Sequence, residues 1–192
     1  ADLYRRANQL AHYLQAMGVG PEVRVGLLLE RSVETIVTLL AIFRAGGAYV
    51  PLDPDYPDER LRFMVRDAGL ELVVVQERLT GRLGEAAVQH IRVDTDWPEI
   101  AKERENNPPV LASAANLAYI IYTSGSSGTP KGAMVTRGGM LNCLQWMQQR
   151  YQLTAQDAFL MHTSLNFDPS VWEVFWPLLV GGRVVIAPAG ML

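Results

Sequence analysis

An α/β fold of two successive segments, each built on an open, largely parallel sheet, is predicted from three observations. Residues 23–52 read as strand, helix and strand at the spacing of a βαβ crossover, which implies parallel pairing. The same order returns over residues 158–187. Between them, residues 117–122 form a short apolar run rich in Ile and Tyr that breaks abruptly into glycines and hydroxylated residues, the pattern of a buried strand entering a loop.

The elements follow in order. Leu3, Ala7, Leu10, Ala11 and Leu14 recur at helical spacing, so residues 2–17 are expected as a helix closed by Gly18. Residues 23–29 are a strand. Ser32 then caps a helix that carries Glu34 in its first turn and runs to Ala45, where Gly46 and Gly47 stop it. Residues 48–52 form the next strand, and Asp53, Pro54, Asp55, Tyr56 and Pro57 make a turn. Asp53 and Asp55 are also conceivable metal ligands, but turn formation and capping explain them better. A helix to residue 68 and a strand at 72–75 follow, with a short strand at 91–93. Residues 97–113, with Pro98, charges from Glu99 to Glu105, and Pro108 and Pro109, read as a surface connector. The division is therefore set at residues 1–107 and 108–192. In the second segment Thr136 or Arg137 opens a helix to about residue 151. Residues 158–162 are a strand, 163–169 a loop, 170–179 a helix and 183–187 a strand.

The totals exclude several classes. A chain of 192 residues that is 49% hydrophobic can bury a core. The formal charge of −3 points to neither nucleic acid nor a membrane surface. A single cysteine, Cys143, rules out an internal disulfide and fits a reducing cytoplasmic setting; it is expected to be a buried, inert thiol. No apolar run has the length of a membrane span, and residues 1–20 lack the order of a signal peptide. The chain opens at Ala1 within a helical pattern and closes on Gly190, Met191 and Leu192 just past a strand. The expectation is a piece of a larger protein. His12 and His90 have no partner at metal-ligand spacing, and no metal site of protein side chains is expected.

The loop after residue 122 is the most informative stretch. It reads Thr123, Ser124, Gly125, Ser126, Ser127, Gly128, Thr129, Pro130, Lys131, Gly132. Glycines let backbone N–H groups turn toward an anion, hydroxyls add neutral donors and the lysine adds charge, so the loop suits phosphate. It is not the common phosphate loop, which places four residues between its glycines and Lys then Ser or Thr directly after the second. The competing reading is a flexible Gly/Ser linker, and for Lys131 a solvated lysine beside a turn. The strand in front, the shortness of the run and the Pro130-Lys131-Gly132 stop behind it favour phosphate.

The stretch LAYIIYTSGSSGTPKG resembles the phosphate-loop signature of the adenylate-forming enzymes. It is most similar to that of the amino-acid adenylation domains of nonribosomal peptide synthetases, within the acyl-CoA synthetase and luciferase-like superfamily. LLAIFRAGGAYVPLDP, residues 39–54, and NFDPSVWE, residues 166–173, resemble two further motifs of that family, in the right order, and the likeness runs over essentially the whole chain. The resemblance implies an AMP-forming ligase that converts an amino acid and ATP to aminoacyl-AMP and pyrophosphate. The acyl group would then pass to the phosphopantetheine thiol of a carrier-protein domain, among neighbouring synthetase domains. It assigns Thr123, Ser124, Gly125, Ser126, Ser127, Gly128, Thr129 and Lys131 to the β- and γ-phosphates of ATP, with Lys131 as the neutralising charge. Magnesium would arrive with ATP.

By the same resemblance Asp168 would hold the substrate's α-ammonium, and Pro169 and Trp172 would line the amino-acid pocket. From the residues alone, Asp168 beside Phe167 in apolar surroundings would need a partner if buried, and it suits a helix cap equally well. Trp172, one turn on, could share its face or be plain core. His162 stands near a strand end but receives no proton-transfer role. Relatives commonly carry Thr where this chain has Ser127 and Lys where it has Thr129; the second difference removes a positive charge from the loop. The family's magnesium carboxylate, ribose aspartate, most of its specificity pocket and its catalytic lysine lie downstream of the matched residues, so the chain alone is expected to be inactive in adenylation. Two alternatives stand beside this reading. One is a ligase for a non-amino carboxylic acid with coenzyme A as acceptor. The other is a catalytically dead nucleotide-binding or interaction module.

Overall fold

Alternating apolar strands and amphipathic helices assemble around one six-stranded sheet, seen in a computed structural model that describes residues 2–84, 87–124 and 129–188. The elements are α1 (Asp2–Ala16), β1 (Arg24–Leu28), α2 (Val33–Ala45), β2 (Ala48–Pro51), α3 (Asp58–Asp67), β3 (Leu72–Val75), β4 (Gln89–Arg92) and the short α4 (Trp97–Ile100). They continue with β5 (Leu117–Thr123), β6 (Lys131–Thr136), α5 (Arg137–Tyr151), β7 (Ala158–Met161), α6 (Pro169–Leu179) and β8 (Arg183–Ile186), and a 3₁₀ turn covers Glu77–Leu83.

The sheet order is β4-β3-β1-β2-β5-β6, parallel except for β6. Strand residues alternate between its two faces, as a period of two requires. Val25, Leu27, Leu72, Val74 and Tyr119 face α1 and α2, whereas Leu28, Val50, Val73, Val75 and Tyr122 face α3 and the 3₁₀ turn. Ser32 caps α2 as expected, accepting from the Thr35 N–H, and Gly46 ends that helix at φ 100°, a backbone setting that suits glycine.

The connector is pinned to α1 by buried polar side chains. Asn8 Nδ2 donates to the Glu105 carbonyl at 2.6 Å, Gln9 Nε2 donates to the Ala101 carbonyl at 2.7 Å, and His12 Nε2 lies 3.0 Å from the Asn106 carbonyl. These bonds satisfy groups that would otherwise be costly to bury, and they give His12 a structural role.

Two features depart from the sequence reading. Residues 131–136 form β6, where the sequence suggested only a stop. Its side chains are mostly exposed, Met134 at 68%, so it shows no apolar alternation, and its pairing with β5 alone holds it as an edge strand. The phosphate-loop hairpin therefore joins the first sheet, and the sheets change between β6 and β7 rather than at residue 107. Cys143 is exposed, not buried, because α5 buries only Met140 and Leu144.

β7 and β8 pair in parallel as a second, two-stranded sheet joined by α6. α6 ties it to the larger one: the Phe175 ring lies 5.7 Å from that of Phe43 and 6.4 Å from that of Tyr49. No helix among the described residues is long and apolar enough to cross a membrane.

Candidate functional site

The buried stretch Ala118–Tyr122 gives way to exposed Thr123 and Ser124 at the carboxyl end of β5. Because β5 runs parallel to β2, this end opens on the same edge of the sheet as the carboxyl ends of β1, β2 and β3, the edge at which open α/β sheets bind ligands. Thr123 and Lys131 are the last ladder pair of the β5–β6 hairpin, and Thr123 Oγ1 donates to the Lys131 carbonyl at 3.4 Å. Two of the candidate phosphate ligands thus face each other across the mouth of the loop. Thr129 and Lys131 are exposed, and Lys131 makes no ion pair among the described residues. Gly125, Ser126, Ser127 and Gly128 lie outside the described residues.

The hairpin is braced from behind. Tyr122 donates its hydroxyl to Asp67 Oδ2 at 2.6 Å. Burial, followed by the Asp67 hydrogen bond and charge, pushes that hydroxyl well above the usual tyrosine range, so it stays a protonated donor. Gly132 sits against this brace, where an added Cβ would lie 2.8 Å from Ile120 Cγ2. Glycine is required there by close approach. On the neighbouring helix, the Arg137 guanidinium lies 3.9 Å from the Phe43 ring centre and donates to the Gly47 carbonyl at 2.8 Å, locking the start of α5 to the end of α2 and the turn before β2.

Asp168 stands at the N-terminus of α6 with helical backbone angles and makes no side-chain capping bond. The cap reading of this residue is therefore not the one the structure adopts. Nor is it buried: Asp168 is exposed and its neighbour Phe167 is 61% exposed, both lying just ahead of the point where α6 enters the core at Ser170 and Val171. Its carboxylate has no hydrogen-bond or ion-pair partner among the described residues. After burial, its charge is the next cause raising the Tyr119 hydroxyl on β5. Pro169 takes the first turn of α6, where its missing N–H costs nothing, and Trp172 is partly buried against the main core.

A cavity of about 200 Å³ lies beyond the ends of β1, β2 and β7, lined by Glu30, Arg31, Asp53, Thr163, Ser164 and Asn166 among others. Asp53 bridges here. Its Oδ1 accepts the Asp55 N–H at 2.9 Å, the turn expected from the sequence, and its Oδ2 accepts the Ser164 hydroxyl at 2.6 Å. No cluster of three metal-ligating side chains occurs among the described residues. His162 Nδ1 lies 3.0 Å from the Glu173 carboxylate, which occupies the imidazole. Sequence reasoning assigned no role to Glu173. The available signal was a lone carboxylate in the apolar run VWEVFW.

Comparison with known proteins gives consistent relatives. The family profile described as AMP-binding enzyme matches residues 1–191. A linear gramicidin synthase of Brevibacillus parabrevis is 47% identical over 188 residues, which cover 98% of this chain and 4% of that protein. Zwittermicin A synthase ZmaJ of Bacillus cereus is 39% identical, covering 99% of this chain and 36% of its own length. The crystal structure of the nonribosomal peptide synthetase FmoA3 with α-methyl-L-serine-AMP superposes with a TM-score of 0.88 at 33% identity, over 97% of this chain and 20% of that one. The four-domain nonribosomal peptide synthetase AB3403, bound to AMP and glycine, gives 0.79 at 31%, over 97% of this chain and 14% of that one. The chain thus spans well under half the length of each of these proteins.

Proposed function

Since this chain belongs to the AMP-binding enzyme family, we propose that it is the N-terminal part of an adenylation domain that activates an amino acid with ATP. The observation that carries the reading is the pairing of Thr123 with Lys131 at the phosphate-loop mouth, with an exposed, unpartnered Asp168 at the start of α6 whose charge acts on Tyr119 of the same strand. The names of its relatives, synthetases of peptide products, support it.

In this reading the substrate carboxylate attacks the α-phosphorus of ATP. A carboxyl oxygen–phosphorus bond forms, the bond to the bridging oxygen of the β-phosphate breaks, and pyrophosphate leaves. The nucleophile arrives ionised, so no protein base is needed; the protein contributes position and charge. Lys131 and the hydroxyls of Thr123, Ser124, Ser126, Ser127 and Thr129 hold the β- and γ-phosphates. Magnesium, bound to the nucleotide, supplies further neutralisation. Asp168 pairs with the α-ammonium, and Pro169 and Trp172 border the side-chain pocket. The acyl group would then pass to the phosphopantetheine thiol of a carrier domain, a thioester forming as the acyl–phosphate bond breaks and AMP leaves, in a cytoplasmic assembly with neighbouring synthetase domains. The 192 residues supply the phosphate loop and the ammonium anchor, and turnover is expected from a longer chain that contains them.

Amino-acid-dependent ATP–pyrophosphate exchange tests the reading. One amino acid should drive exchange, and Asp168→Ala should raise its KM by about 10- to 100-fold, the worth of a charged hydrogen bond, with little change in the KM for ATP. Exchange driven by a carboxylic acid without an amino group, indifferent to Asp168→Ala, would point to the coenzyme A ligase instead. Nucleotide binding without exchange for any acid would point to the binding module.

A further inference from the structure

The buried side of α6 carries two polar side chains, Ser170 at 1% and Glu173 at 3% exposed, and of these only Glu173 is ionisable. A carboxylate buried this deeply is retained only where donors surround it. Here they come from two consecutive residues just past β7. Glu173 Oε2 accepts the backbone N–H groups of His162 at 2.9 Å and Thr163 at 3.0 Å. Oε1 accepts the Thr163 hydroxyl at 2.6 Å and lies 3.0 Å from His162 Nδ1. The next residue, Ser164, donates across to Asp53 Oδ2 at 2.6 Å. At the far end of the same loop, the Ser170 hydroxyl donates to the Phe167 carbonyl at 2.6 Å. The loop that leads into Asp168 is therefore tied to α6 at its start, to the turn after β2 in its middle, and to the first turn of α6 at its end.

We propose that Glu173 is the positioning residue of the ammonium anchor: by clamping His162 and Thr163 it sets where the loop delivers Asp168 relative to the phosphate loop. The inference rests on the reading of Asp168 given above. Glu173 reaches no substrate in this scheme. It acts through the loop, so its loss should weaken amino-acid binding selectively, because a displacement of about 1 Å at an anchoring group is enough to degrade productive binding.

The test is pyrophosphate exchange by the full-length protein carrying Glu173→Gln, Glu173→Asp, Thr163→Val or Asp168→Ala. Glu173→Gln should raise the KM for the amino acid about tenfold, with the KM for ATP within about twofold of the parent. Glu173→Asp, which keeps the charge, should recover part of the loss. Thr163→Val removes one donor and leaves the carboxylate paired with backbone, and should raise the same KM about threefold. Combined with Glu173→Gln it should add little, since both act on one contact. Thr163→Val carries the test by itself if Glu173→Gln does not fold. An unchanged amino-acid KM in Thr163→Val and Glu173→Gln, or equal rises in both KM values, beside a clear effect of Asp168→Ala, overturns the inference alone. No effect of Asp168→Ala overturns the anchor assignment and the inference with it.

Discussion

Replacing Gly132 by alanine tests whether close packing of β6 on β5 sets the position of Lys131. The new Cβ would lie 2.8 Å from Ile120 Cγ2 and 3.3 Å from Tyr122 Cζ. Carbon pairs settle at about 3.5–4.0 Å, so the nearer contact must open by roughly 0.7 Å or more. Neither neighbour can yield easily. Ile120 is buried in the core, and Tyr122 is anchored through its hydroxyl to Asp67. The strain falls on the ladder pair Tyr122↔Gly132, directly beside Thr123↔Lys131. Overpacking of this kind costs about 1–3 kcal/mol. Restriction of the unfolded chain by alanine returns about 0.4–1 kcal/mol, leaving a net loss near 1–2 kcal/mol. Urea unfolding of the purified full-length protein should therefore show a lower midpoint at unchanged slope, with a raised KM for ATP. Gly20→Ala is the control, because nothing lies within 4 Å of its added Cβ. If Gly132→Ala behaved like Gly20→Ala in both assays, the packing argument would be wrong.

Two further outcomes are expected. Tyr122→Phe removes the donor to Asp67 and should lower stability by about 1 kcal/mol in the same urea titration; no change would mean that the brace is idle. His90, on β4, has its pKa lowered by burial and then by Arg92, so the folded state binds its proton less readily than the unfolded chain. Its contribution is thus full above the ordinary histidine value of about 6.5 and is lost as pH falls through that value toward the lowered one. Unfolding followed between pH 8 and 5 should show this decline, and His90→Gln should flatten it.

Much of the fold was legible because its signals are local. The helical spacing of Leu3, Ala7, Leu10 and Leu14, the Ser32 cap and the Gly46 stop each act within a few residues, and the structure follows them. The loop after β5 was legible for the same reason: its residue types are contiguous. β6 was not, because an exposed edge strand carries no apolar period and is defined by the partner it pairs with.

The sequence by itself determined the α/β elements, their parallel logic and the stretch that resembles a phosphate loop. Only tertiary structure decided what the isolated polar groups do. Tyr122 meets Asp67 across 55 positions, Arg137 meets Gly47 across 90, and Ser164 meets Asp53 across 111. The same holds for Cys143 and Asp168, which lie exposed, and for Glu173, which clamps the loop before Asp168. A buried polar group is worth what its partner makes it worth, and a partner brought in by chain folding leaves no periodic trace in the residues around either group.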